Sequence, residues 1–418
     1  RRLRRTSAQV SLAAAVAAVL AAVAVPAARQ DSARAPVSTR NAGETTTAHS
    51  WTPTLADPIP LADYLTRLKR SLTDPARAGQ DTRLEARVTA ESRSGVRRLR
   101  VRNFQVLSDS DRNLAGYSLG AGSWDTEVGV LASAVAQEFV VQAALADVPL
   151  DSVDVVFTSR QDAEPRPAGK VAYPRNLQYE ARLSSPASDE VLEQLRQRVQ
   201  RESPVLSLVA EAQSIDHGRV VYTQSPAQPA AGSPPGLRDF LVEKRAALQK
   251  RAAARDGGGA SAPLQAHARV EGGTGLRHVR IGETGYQVFH DAPREAGGFD
   301  LGPTTEEHQL GVMGTCLTHI FEIQAAQRQV VLDHLEVRVE GTLTPRRADR
   351  PSRLEGVRYS VHISSPAPAS EIDALRQAVE AVCPIYNLLK DPQPITGRIV
   401  RVDPPPARPT TATAANAR

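Results

Sequence analysis

Cysteine combines nucleophilicity with reversible oxidation, and this chain has two, Cys316 and Cys383. Two thiols cannot build a disulfide framework, but they can close one bridge, which an oxidising compartment preserves and a reducing cytosol opposes. Buried in apolar surroundings, the same pair would be two inert groups. Cys316 ends the stretch DAPREAGGFDLGPTTEEHQLGVMGTC, which starts at Asp291. Pro293, Gly297, Gly298, Gly302 and Pro303 require a sharply bent loop there. Thr304 and Glu307 then have capping-box spacing, and Leu310, Met313, Leu317 and Ile320 recur at helical spacing to about Arg328. Cys316 rides on the apolar face of that helix. Cys383 lies in Val382-Cys383-Pro384-Ile385, inside a second apolar helix that begins near Ser370.

The motifs run in the order D-x-P-x-x-x-G-G-x-D-x-G-P-x-x-E, L-G-x-x-G-x-C, a β-rich segment, and a helix bearing C-P-[IV]. Over residues 266–402 this resembles the OsmC/Ohr family of thiol-dependent organic-hydroperoxide reductases. The resemblance implies that Cys316 attacks the peroxide to give a sulfenic acid, which Cys383 resolves to a disulfide. It also implies an arginine and a glutamate beside the thiolate. Glu306 stands where the glutamate of the family's P-E motif falls, with Thr305 in place of the proline. Arg294 fits the OsmC-type arginine position and Arg277 lies near the Ohr-type one. Each has a second reading: Glu306 as a first-turn acid that suits the helix dipole, the arginines as surface charges. His319, one turn after Cys316, is either an aid to ionisation or a structural histidine. Gly314 and Thr315 suit close helix packing and equally a ligand channel. The family holds no cofactor and draws on an external dithiol, typically lipoylated protein. Its members are intertwined homodimers with the reactive cysteines near the subunit interface.

The chain also repeats itself. Ala86-Arg87-Val88 returns as Ala268-Arg269-Val270, and Phe104-Gln105-Val106-Leu107 as Tyr286-Gln287-Val288-Phe289, each 182 residues on. Ser203-Pro204-Val205 matches Cys383-Pro384-Ile385 at a spacing of 180, and Leu61-Ala62-Asp63-Tyr64-Leu65 matches Leu237-Arg238-Asp239-Phe240-Leu241. The sequence therefore predicts two tandem OsmC-like domains of α+β class, 61–225 and 237–402, joined by a linker at 226–236. Each would hold antiparallel strands around two apolar helices, and together they would form an intrachain pseudo-dimer, monomeric as a whole. Strands are expected at 266–270, 278–281, 286–289, 335–341, 357–363 and 397–402 of the second copy. In the first copy the thiol positions fall on Ala134 and Ser203, and Glu306 falls on Trp124, with Asp125 and Glu127 close by. That copy is expected to be degenerate, a partner that walls the pocket of the second.

Composition narrows the partners. The formal charge of +5 owes much to arginines at 1–5 and 97–102, but aromatics are only 4% of residues, so both clusters read as solvated faces rather than nucleic-acid platforms. Nine histidines without ligand spacing predict no metal, and no P-loop, dinucleotide fingerprint or G-x-S-x-G elbow is present. Residues 1–28 have the basic start, apolar run and small-residue end of a secretory signal, which predicts export to the periplasm or beyond. Membrane-anchored, organellar and cytoplasmic residence are the alternatives. Residues 29–60 read as a linker and 403–418 as a disordered tail. The leading function is reduction of organic hydroperoxides. The rivals are a non-catalytic OsmC-like module that binds an apolar ligand or senses redox state, and a structural protein with two buried thiols.

Overall fold

The computed structural model describes residues 60–74, 80–91, 94–160, 171–254, 263–282, 285–347 and 349–403. The signal-like leader, nearly all of the 29–60 linker and the tail beyond 403 lie outside them. The first half runs α1 (Leu61–Leu72), β1 (Thr82–Ala90), β2 (Arg97–Val101), β3 (Phe104–Ser108), α2 (Ser123–Ala146), β4 (Ser152–Arg160), β5 (Arg175–Ser184), α3 (Asp189–Glu202), α4 (Pro204–Ala210) and β6 (Arg219–Gln224). The second runs α5 (Leu237–Ala253), β7 (Leu264–Glu271), β8 (Leu276–Ile281), β9 (Tyr286–His290), α6 (Thr305–Arg328), β10 (His334–Thr344), β11 (Arg353–Ser365), α7 (Ala369–Val382), α8 (Pro384–Lys390) and β12 (Ile395–Arg401). The class is α+β, with strands and helices where the alternating and helical patterns put them. α6 starts on the expected capping box, Thr304 and Glu307 each accepting the other's backbone N–H.

Neither half owns a sheet. One six-stranded sheet has the order β3-β2-β1-β10-β11-β6 and the other β9-β8-β7-β4-β5-β12, so each joins four strands of one half to two of the other. The seam is antiparallel in both, Ala86 opposite Val339 in the first sheet and Ala266 opposite Phe157 in the second. The outer pairs β6–β11 and β5–β12 are parallel, each bringing one half's closing strand beside the other half. Phe157 and Val339 are 182 residues apart, so Ala86 takes the place of Ala266, not of Ala268 as the sequence match has it. The two-residue shift makes Arg97 the counterpart of Arg277, each a buried side chain at the start of β2 or β8, opposite Ser108 or His290.

Between the sheets lie the two long helices. α6 packs on β1, β2 and β10, α2 on β7, β8 and β4, and the two helices on each other. Both are apolar on nearly every side because both are surrounded. α2 is long and apolar enough to span a bilayer, yet 83% of its apolar window is buried inside the fold, as for a core helix. Two glycines let α6 approach its sheet: a Cβ on Gly311 would stand 2.4 Å from Leu99, and one on Gly314 would stand 2.8 Å from Val88. Gly314 thus serves close packing. α1 covers α2, and α5 covers α6.

Candidate functional site

The helix that the sequence places around Cys383 is broken there into two. α7 stops at Val382 and α8 starts at Pro384, because proline has no N–H to continue a helix but suits a first helical position. Cys383 caps the junction, fully buried, and its sulfur lies 3.4 Å from that of Cys316, which is 2% exposed on α6. Both are free thiols. Burial, with the neighbouring Cys316, pushes the Cys383 thiol well above its usual range, so its neutral form is favoured. Ser203 occupies the same junction in the first half, its hydroxyl capping α4.

Cys316 opens onto a cavity of about 200 Å³. The second half contributes Cys316, His319, Ile320 and Pro384, and the first half Arg97, Ser110, Trp124 and Asp125. Arg97 is 1% exposed. Its Nη1 lies 3.1 Å from His319 Nδ1 and 3.4 Å from Glu322 Oε2, while Lys244 Nζ lies 3.4 Å from the same carboxylate oxygen. Two cations thus share one buried carboxylate, leaving positive charge beside the thiol. Burial pushes Lys244 down to about 8. Burial, then Lys244 and Arg97, hold His319 well below the usual imidazole range. Arginine can only donate, so the neutral ring accepts at Nδ1 and orients the guanidinium. Asp125 is lifted to about 6, first by burial and then by Asp111.

The loop that carries these first-half residues is fixed by Asp109, whose carboxylate accepts the N–H groups of Ser110, Tyr117 and Leu119 at 2.7, 2.9 and 3.0 Å. Asp291 does the same for Ala292, Phe299 and Leu301 in the second half. Glycine occurs in both loops and proline in the second alone, and an aspartate locks each.

Of the site residues expected from sequence, the structure brings Cys316 and Cys383 together and keeps Glu306, Arg277 and Arg294 away from their cavity. Glu306 precedes Cys316 by ten helical residues, about 15 Å along the axis. Arg277 is the second residue of β8 in the other sheet, near Tyr64, Glu306 and Asp291. Arg294 is exposed in a short 3-10 turn. The charged side chains that line the thiol cavity instead include Arg97 and Asp125 of the first half, with Glu322 bridging Arg97 to Lys244 behind it. Arg97 had been counted in a solvated cluster. Strand alternation turns it inward while Arg98 and Arg100 face outward, and Arg102 pairs with Glu307 across the halves. One signal was available: in an intertwined pair, a candidate Arg277 calls for a mate in the other half.

The family model described as OsmC-like protein matches residues 298–397. No curated protein matches the chain. Among solved structures, an organic hydroperoxide resistance protein OsmC from Legionella pneumophila is 21% identical, covering 32% of this chain and 95% of its own, with a TM-score of 0.27. An OsmC-like protein from Mycoplasma pneumoniae is 18% identical over 31% of this chain and 89% of its own, with a TM-score of 0.25. A putative osmotic stress induced and detoxification response protein from Psychrobacter arcticus is 15% identical over 31% and 90%, also at 0.25. Cys316, Cys383 and the helices that carry them fall inside 298–397, and that segment of the chain is an OsmC-like domain.

Proposed function

We propose that this protein is a thiol-dependent peroxidase for organic hydroperoxides, with Cys316 as the attacking thiol and Cys383 as the resolving one. The observation that carries the proposal is the pair of free sulfurs 3.4 Å apart on a cavity that Arg97 also lines. Membership of the OsmC-like family supports a redox or stress role. The Cys316 thiolate attacks the terminal oxygen of ROOH, the O–O bond breaks, and two electrons pass from sulfur to the peroxide. The alkoxide takes a proton and leaves as ROH, and Cys316 becomes a sulfenic acid. Asp125 lines the cavity and supplies that proton. Arg97 provides the positive charge that an attacking thiolate needs. Cys383 then attacks the sulfenic sulfur and releases water, and the disulfide is reduced by two exchanges with an external dithiol such as a lipoylated protein. No cofactor is required. Leu114, Trp124, Ile320 and Ile323 give the cavity an apolar wall for the R group, which favours organic peroxides over hydrogen peroxide.

The two halves are then tandem copies that rebuild a dimer within one chain, the thiol-free first copy serving as wall and charge source. The test is peroxide consumption with cumene hydroperoxide and hydrogen peroxide, dihydrolipoamide as reductant. Wild type should turn over the organic peroxide preferentially, Cys316→Ser should be inactive, and Cys383→Ser should lose multiple turnover while still forming a sulfenic acid. Reactive thiols without turnover would sink the peroxidase reading.

A further inference from the structure

The thiol cavity has a twin. Moving its lining by 182 residues takes Ser110 to Ala292, Gly122 to Thr304, Trp124 to Glu306 and, in the other direction, Ile320 to Glu138. All four destinations line a second cavity of about 870 Å³, a volume within the range of small-molecule sites. The thiol positions there are held by Ala134 and Ser203, so no sulfur chemistry is available. The exchange of Trp124 for Glu306 and of Ile320 for Glu138 brings in carboxylates instead.

Four of the five arginines of this second wall are already engaged. Arg346 donates to Glu138 at 2.6 Å, Arg102 donates to Glu307 at 2.6 and 3.0 Å, Arg87 donates to Glu85 at 3.1 Å, and Arg83 pairs with Glu340. Arg100 stands exposed at the rim. Glu306 is 4% exposed and, among the described residues, has no hydrogen-bond or ion-pair partner. Arg277 acts on it only from beyond contact distance. Burial, relieved in part by Arg346 and reinforced by the charge of Glu306, pushes the neighbouring Glu138 up. A buried carboxylate without a partner is costly, and a cation is what relieves it. The described residues offer no group of three or more metal-ligating side chains, whereas Leu72, Val141, Pro204 and Leu343 give the wall an apolar part.

We propose that this thiol-free cavity binds an organic cation, an ammonium or guanidinium on an apolar chain, with the charged head on Glu306 and Glu138 alongside. The site is separate from the thiols, so the proposal stands whether or not the chain is a peroxidase. The test is calorimetric titration of the full chain with hexylammonium, against hexanoate as the anionic control. Hexylammonium should bind and hexanoate should not, and Glu306→Gln should weaken hexylammonium about tenfold or more, the loss of one charge-assisted contact. Val141→Trp, which narrows the cavity and keeps Glu306, should abolish binding and covers the case in which the first variant does not fold. No hexylammonium binding at millimolar concentration, equal or tighter binding of hexanoate, or affinity within twofold of wild type in Glu306→Gln would each overturn it.

Discussion

Asp125 and Glu127 sit two residues apart at the start of α2, and burial raises both, to about 6 and about 7. Asp125 lines the thiol cavity, and its effect belongs to the reaction. As proton donor it should make kcat/KM fall as pH rises past about 6; Asp125→Asn should erase that limb and lower the rate below it by roughly 10²-fold, read from a pH–rate profile. Glu127 is fully buried against Gln309, which donates to it at 2.8 Å, and its effect belongs to stability. Its folded value is raised above 4.5, so the stability it gives is complete below about pH 4.5 and is lost as pH rises through about 7. Glu127→Gln should therefore stabilise the protein by about 3 kcal/mol at pH 8 and by only about 1 kcal/mol at pH 5, measured by chemical denaturation at both. The thiols were legible in the sequence because two cysteines stand out by type. Arg97, Lys244 and Glu322 were not, because a buried charge looks like a surface charge until its counter-charge, 225 residues away for Arg97, is placed beside it.

At the scale of elements, helix α6 is defined by what its glycines permit. Gly311→Ala should drive a methyl into Leu99 and destabilise the fold by roughly 1–3 kcal/mol, and Leu99→Ala should recover part of that loss in a double-mutant cycle. Gly129→Ala, whose Cβ would meet Ile281 at 3.0 Å, should cost less. The elements themselves were legible: the capping box, the alternating strands and the repeated helices read directly from spacing. Three features were not. The break at Cys383 depends on a single proline, and the two-residue slip of β1 against β7 shows only in the sheet registers. The third, the assignment of Arg277 and Glu306 to the thiol, failed because motif order along one half says nothing about which half completes the pocket.

The whole molecule is held by strands that change halves. The isolated second half, 237–402, would lose β1 from beside β10, β6 from beside β11, β4 from beside β7 and β5 from beside β12, exposing four unpaired edges. It should be insoluble or self-dimerise in size-exclusion chromatography with light scattering, and a soluble monomer would overturn the intertwined pair as an obligate unit. The same seam fixes when the protein can fold. Arg83 on β1 meets Glu340 on β10 across 257 residues of chain. At about 5–20 residues per second, a ribosome needs roughly 10–50 s between making the two. For that time the nascent first half carries a bare strand edge and a greasy central helix that still lacks β7, β8 and α6. The first half must therefore wait, half-made, until the strands that complete its sheets are synthesised.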